Sequence, residues 1–149
     1  MTVQSNHLIK PIIRINKNFV YNGKKFPIDF NLVKSNSEYF YKNQDSFNSD
    51  DIEIAVDSLE LTDDVIINFI KCCQNEEFQV NDLNVNSLHQ LSVQYEVPEL
   101  IKYTESYLNE SQYKFNLQTN VSKIQNNETK INELVELIKD NDEKQQQTN

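Results

Sequence analysis

The chain has 149 residues, with 14 basic and 23 acidic side chains and a formal net charge of −9. This length fits one domain with an appended segment, because domains usually contain about 100–200 residues. No apolar run exceeds four residues, whereas a membrane-spanning helix needs about 20. The acidic balance also disfavours nucleic acids, whose affinity for proteins depends on Lys and Arg. We therefore expect neither a membrane nor a nucleic acid as partner.

The polar excess consists largely of amides, since the chain contains 21 Asn and 12 Gln. Charge is unevenly distributed: residues 1–42 carry seven bases and two acids, and residues 43–149 carry seven bases and 21 acids. A basic beginning and an acidic end are most simply surface charge. RNA binding through the basic third is a minor hypothesis, which a salt-titrated binding assay would test.

The cysteines and histidines predict no metal site and no redox site. Cys72 and Cys73 are adjacent, which suits neither a structural zinc site nor a Cys-x-x-Cys pair. They lie in an apolar helical pattern, so we expect reduced, buried thiols. Neither His7 nor His89 has a second ligand nearby in the sequence. Residues 1–10 lack the apolar core of a secretion signal, and we expect a cytoplasmic or nuclear protein.

The first predicted element is a β-hairpin. Two β-prone runs, Phe19-Val20-Tyr21 and Lys24 to Ile28, flank Asn22-Gly23. Asn-Gly favours a type I′ turn, whose two central residues need positive φ. Gly23 is the only glycine in the chain. Upstream, an apolar cluster predicts a further strand that Pro11 interrupts; its members are Ile9, Ile12, Ile13 and Ile15.

Short helices, a strand and longer helices are predicted after the hairpin. Phe30 to Val33 suits a helical turn, and Ser37 can cap a second one that carries Tyr39 and Phe40. Alternation over residues 52–56 predicts a half-buried strand. Thr62 is placed to cap an amphipathic helix over 63–73. A short extended segment at 78–80 and helices over 86–95 and 98–108 follow, with Pro98 in the first turn of the last one.

A heptad pattern distinguishes the C-terminal part of the sequence. Leu117, Ile124, Ile131 and Ile138 recur every seven residues. The complementary row is Asn120, Asn127, Leu134 and Asn141, which is apolar at one position only. A stable coiled coil needs both rows apolar, and a buried Asn costs stability. We expect an amphipathic helix over 111–139 that packs on the domain or pairs weakly with another copy, and a disordered tail over 140–149.

Residues 19–40, FVYNGKKFPIDFNLVKSNSEYF, resemble the beginning of a BTB/POZ domain. Family positions are matched in order by Phe26, Leu32, Val33, Ser37 and Phe40. The stretch from Leu91 to Leu100 is similar to a later signature of the family. Ile28-Asp29 departs from the family's common Ala-His. The resemblance covers about residues 19–110 and extends to the related small F-box-adaptor subunit of cullin ubiquitin ligases.

The resemblance implies an α+β fold of BTB/POZ type, with a small sheet and a cluster of helices. It also implies a homodimerising adaptor that works through protein partners and recruits a cullin-type ubiquitin ligase. Residues 1–18 would supply the dimer strand, with Ile12, Ile13 and Ile15 at the interface. The partner surface, carried over by position, comprises Asn68, Lys71, Gln74, Glu76, Glu77 and Phe78.

No residue pattern indicates catalysis. The sequence has no Gly-rich phosphate loop and no His paired with a carboxylate at helical spacing. We therefore expect no enzymatic activity, no cofactor, no metal and no small-molecule substrate. The alternative to a BTB/POZ-like adaptor is a structural assembly protein that oligomerises through the helix at 117–138 alone.

Overall fold

The computed structural model describes residues 1–4 and 11–148, with side chains throughout except at 121–126 and 139–148. The chain divides into two compact units, Met1–Asn109 and Glu110–Asn149. The described elements, in chain order, are strand β1 (Thr2–Val3), β2 (Lys17–Tyr21), β3 (Lys24–Ile28), helix α1 (Phe30–Asn36), α2 (Glu38–Lys42), a 3₁₀ turn (Gln44–Ser46), β4 (Asp51–Glu53), α3 (Asp63–Cys73), β5 (Phe78–Gln79), α4 (Val85–Gln94) and α5 (Pro98–Thr148). The predicted α+β class is confirmed.

The predicted hairpin forms the centre of the first unit. β2 and β3 pair antiparallel, with Phe19 opposite Phe26. Asn22 (φ 49°) and Gly23 (φ 77°) both adopt left-handed backbone at the turn, as a type I′ turn requires. β4 joins the other edge of β2 in parallel, so the strand order is β3-β2-β4.

The strand expected over 52–56 is shorter than the alternation predicts. β4 ends at Glu53, although the Ile54 N–H still donates to the Val20 carbonyl at 3.0 Å. The Ala55 N–H, which strand alternation directs away from β2, bonds to the Tyr95 hydroxyl at 3.0 Å. Val56 lies at a turn, where its carbonyl accepts from Leu59 N–H at 3.2 Å, so the chain leaves the sheet before the alternating run ends.

Side-chain caps begin the helices of the first unit. Asp29 accepts hydrogen bonds from the backbone of Asn31 and Leu32 at the start of α1. Ser37 caps α2 and Thr62 caps α3, as the sequence predicts. A cap of this kind pairs backbone donors that a helix start leaves without partners.

The apolar core of the first unit lies between the three-stranded sheet and the helices α1 to α4 with the beginning of α5. Phe40 is fully buried, and its ring stacks on Tyr95 at 5.1 Å between centroids. The rings of Phe19 and Phe30 also lie against it, at 5.3 and 6.1 Å. Four elements therefore meet at this one side chain.

A second, smaller sheet pairs β1 with β5 antiparallel, and Val3 lies opposite Phe78. Both side chains are buried in the core. The strand predicted upstream of the hairpin does not form within the single chain, since residues 11–16 have no regular structure. Arg14 N–H donates to the Asp29 carboxylate instead of to a neighbouring strand. Ile9 and His7 lie outside the described residues.

The helix predicted over 98–108 extends much further, because α5 is continuous from Pro98 to Thr148. The helices predicted over 98–108 and 111–139 are thus parts of one element. The disordered tail expected over 140–149 stays a prediction. No helix in the described part of the chain is both long and apolar enough to cross a membrane.

Candidate interaction surfaces

The segment before β2 exposes apolar side chains on a fixed backbone. Ile12 is 77% and Ile15 is 56% exposed, while Ile13 is half-buried. Arg14 N–H donates to Asp29 at 2.9 Å, and Asn16 bonds to both sides of the β3–α1 corner. Its N–H donates to the Ile28 carbonyl and its side-chain oxygen accepts from Phe30 N–H, at 3.0 and 2.8 Å. The exposed isoleucines are therefore held beside this corner of the domain.

Asp29 connects the segment before β2 to the start of α1. Sequence reasoning identified this residue only as a departure from the BTB/POZ pattern. Its side chain is buried and accepts from Arg14, Asn31 and Leu32 backbone N–H groups. Its own N–H donates to the Gln74 side chain at 2.7 Å. The position of Asp29 just before a helical run could have indicated its role as a helix cap, since Asp is a preferred N-cap residue.

Three of the six residues assigned to the partner surface are buried. Asn68 donates to the Asp64 carbonyl and accepts from Gln79 N–H, both at 2.9 Å. Gln74 accepts from Asp29 N–H and donates to Glu76 at 2.9 Å. Phe78 lies in the core, edge-on to Tyr103. These side chains therefore connect α3 and β5 to neighbouring elements. Their positions in the sequence alone could not show whether they are buried or exposed.

The other three residues of that set lie at the surface. Lys71 and Glu77 are exposed and Glu76 is half-buried. Lys71 and Glu77 line an open cavity of about 380 Å³ beside α3. Ile67 lies outside the predicted partner surface, but it lines the same cavity and is 42% exposed. An exposed apolar side chain that shares a cavity with charged residues is a surface on which a partner can dock.

The buried thiols and two surface ion pairs have shifted pKa values. Burial raises the pKa of Cys72 and that of Cys73 well above the ordinary thiol value, so both are protonated at neutral pH.

Two hydrogen bonds, the stronger from Lys25 and the weaker from Asn18, lower the pKa of Asp51 and connect β4 to the hairpin. Glu96, followed by Glu38, raises the pKa of Lys42. His89 contacts the Thr104 hydroxyl through Nδ1 at 3.0 Å.

Among residues 1–4 and 11–148, no group of three or more His, Cys, Asp or Glu side chains is arranged to hold a metal ion. The polar clusters that the described residues do form are caps and connections between elements, as at Asp29, Ser37 and Asn68. Exposed apolar side chains in the described part of the chain include Ile12, Ile15 and several on α5.

The structure is similar to the BTB (Tramtrack and Bric a brac) domain of human gigaxonin, with a TM-score of 0.51 and 14% sequence identity. The match covers 62% of this chain and 76% of that one. The fold is BTB-like. No protein-family model and no curated protein matches the sequence. The BTB-like fold expected from residues 19–110 is thus confirmed at the level of the fold.

Proposed function

We propose that the chain is a non-enzymatic protein–protein interaction module, a homodimerising adaptor with a BTB-like fold. The observation that carries the proposal is the pair of exposed isoleucines, Ile12 and Ile15, on backbone fastened to a BTB-like domain. The proposed partner is a second copy of the chain, which would cover both side chains in the dimer.

Burying such side chains is favourable on energetic grounds. Removing one isoleucine side chain from water stabilises by roughly 1.5–3 kcal/mol. The backbone between Arg14 and Asn16 is already held by hydrogen bonds, so association there orders little additional chain. A β-prone run at an edge can also pair with the same run of another copy across a two-fold axis.

The test replaces both side chains by aspartate in the variant Ile12→Asp/Ile15→Asp. Association is measured on the chain ending at Gln112, which keeps the compact first unit and removes α5 contacts beyond it. Light scattering should give the mass of two chains for this protein and of one chain when it carries both substitutions, because each charge would be desolvated at the interface. Ile13 is left in place because it is half-buried. The far-UV circular dichroism and the melting temperature should stay close to those of the natural protein.

Leu83→Asp provides the matched control, since Leu83 is 95% exposed in another part of the domain. This variant should keep the dimer mass. A chain ending at Gln112 that scatters as a monomer, or that stays dimeric with both substitutions, would contradict the proposed interface.

We further propose that the adaptor recruits a cullin-type ubiquitin ligase through Ile67, Lys71, Glu76 and Glu77. In support of this, the exposed side chain of Ile67 lines one open cavity with Lys71 and Glu77. Binding of a purified cullin to immobilised protein should be lost on the change Ile67→Asp and kept in Val93→Asp, whose exposed side chain lies on α4. Equal binding by both variants would exclude this surface.

The second candidate is a structural assembly protein that oligomerises through α5. It is favoured by exposed apolar side chains at heptad spacing, at Leu117, Ile131 and Ile138. A chain ending at Gln112 separates the two candidates. It should stay dimeric if the domain interface operates alone, and become monomeric if α5 supplies the whole association.

A further inference from the structure

One face of α5 in the second unit is apolar and exposed. Leu117 is 52%, Ile131 is 59% and Ile138 is 60% exposed. With Ile124, which the sequence places between them, these residues are seven apart and define heptad position a. Position d is Asn120, Asn127, Leu134 and Asn141. Positions a and d together form the seam of a coiled coil. In this helix the seam is therefore apolar at position a and mainly amide at position d.

The amides decide which partner fits this seam. A purely apolar partner groove would surround Asn120 and Asn127 with groups that cannot pair with them, and an unpaired buried amide is costly. A second copy in the same direction and register brings each d residue opposite itself. Asn then faces Asn, which can both donate and accept, and Leu134 faces Leu134.

The antiparallel arrangement of two copies has the opposite consequence. With full overlap, position a of one helix faces position d of the other. Asn120 would then lie opposite Ile138 and Asn127 opposite Ile131. Each amide would face an aliphatic side chain that offers no hydrogen bond.

Charges beside the seam point the same way. Lys123 and Lys130 occupy position g, and Glu128 occupies position e. In the antiparallel arrangement, position e lies beside e and g beside g, so Glu128 adjoins Glu128 and Lys130 adjoins Lys130. In the parallel arrangement, position g lies beside e of the following heptad, so Lys123 and Glu128 occupy neighbouring positions with opposite charge.

We propose that residues 117–138 of α5 form a parallel, in-register two-stranded coiled coil with a second copy of the chain. Isoleucine at position a combined with leucine at position d, as at Ile131 and Leu134, favours two strands. This inference rests on the homodimer of the proposed function, and it specifies the direction and register in which the C-terminal helices pair.

Disulfide trapping in the full chain tests the arrangement. Leu134→Cys places a thiol at position d, where parallel pairing brings identical residues close enough to bond. Glu136→Cys is the control, because Glu136 is exposed and occupies the outer position f. Cys72 and Cys73 are buried, and the natural chain serves as their background. Under a glutathione redox buffer, Leu134→Cys should give several-fold more cross-linked dimer than Glu136→Cys.

A mixture of Asn120→Cys and Ile138→Cys tests direction. Parallel pairing yields mainly disulfides between identical variants, whereas antiparallel pairing yields the mixed disulfide. Preferential mixed disulfide, or equal cross-linking of Leu134→Cys and Glu136→Cys, overturns the inference.

The two proposals fail in different ways. A natural chain with dimer mass whose Leu134→Cys variant does not cross-link above the control contradicts the coiled coil only. Efficient Leu134→Cys cross-linking supports the coiled coil, even if the chain ending at Gln112 stays dimeric with Ile12→Asp/Ile15→Asp. That second result contradicts only the interface proposed before β2.

Discussion

Ser37 links three helices through one buried side chain. Its backbone N–H donates to the Val33 carbonyl where α1 ends, and its hydroxyl oxygen accepts from Phe40 N–H where α2 begins. The same hydroxyl donates to the Tyr95 carbonyl at 2.5 Å. The sequence predicts the cap from residue type and spacing. The bond to Tyr95 could not be predicted, because the two residues are 58 positions apart.

Ser37→Ala should lower the free energy of unfolding by about 1–3 kcal/mol, because it removes a cap and leaves a buried carbonyl unpaired. Urea titration followed by circular dichroism measures the change. Ser35→Ala is the control, since that hydroxyl bonds only one turn back, to the Asn31 carbonyl, at an exposed site. We expect about 0.5 kcal/mol or less there, and equal losses in the two variants would contradict the role of Ser37.

Asn68, Gln74 and Phe78 show that a surface assigned by sequence position must be checked against burial in the folded structure. All three were placed on a partner surface by resemblance, and all three are buried. The amides satisfy backbone donors of Gln79 and Asp29. Nothing in the local sequence separates an amide that faces solvent from one that pairs a distant N–H. Lys71 and Glu77 are charged, and their exposure follows from residue type.

Among the elements, the hairpin is the one that its own sequence specifies best. Asn22 and Gly23 have the positive φ values that a two-residue turn needs, and the register follows from the turn. Helices α2 and α3 also begin at the predicted caps, Ser37 and Thr62. These features are local, so tertiary contacts were not needed to anticipate them.

Gly23→Ala should lower the free energy of unfolding by about 1–2 kcal/mol, the cost of placing a Cβ in left-handed backbone. A Cβ at this position would meet nothing within 4 Å, so backbone strain alone accounts for the loss. The measurement is again urea titration. Asn22→Gly relieves strain at the neighbouring turn position and should not destabilise by more than about 0.5 kcal/mol. A neutral Gly23→Ala would show that the turn adapts.

The alternating and apolar sequence patterns predict more strand than forms in β4 and in the segment before β2. Alternation predicts a strand to Val56, yet Val56 already pairs with Leu59 in a turn. The apolar run before the hairpin has strand-like composition, but the Asp29 carboxylate accepts from the Arg14 N–H. In both cases the backbone bonds outside the sheet that the pattern predicts. Pairing of the segment before β2 across a dimer stays a prediction.

At the scale of the whole first unit, an aromatic cluster around Phe40 joins the sheet to the helices. Tyr39, Phe47 and Tyr95 contact it from α2, the following loop and the end of α4. Phe19 contacts it from the sheet. Because these contacts span distant parts of the chain, the unit should unfold as a single cooperative structure.

Phe40→Ala should cost about 3–5 kcal/mol, because it removes a fully buried ring that its neighbours cannot replace. A lower urea midpoint by both circular dichroism and tyrosine fluorescence would show it. Phe115→Ala is the matched control, since Phe115 is 62% exposed on α5. We expect a change of about 0.5 kcal/mol or less there. A comparable loss in both variants would contradict the central position of Phe40.

The sequence by itself determined the α+β class, the Asn22-Gly23 hairpin, the caps at Ser37 and Thr62 and the heptad spacing of α5. All of these depend on residues close together in the chain, where propensity, backbone sterics and periodicity act. Only the tertiary structure decided that Asp29 fastens the segment before β2 and that Asn68, Gln74 and Phe78 are interior. The reason is that a polar group's partner and a side chain's burial depend on which distant backbone folds against it.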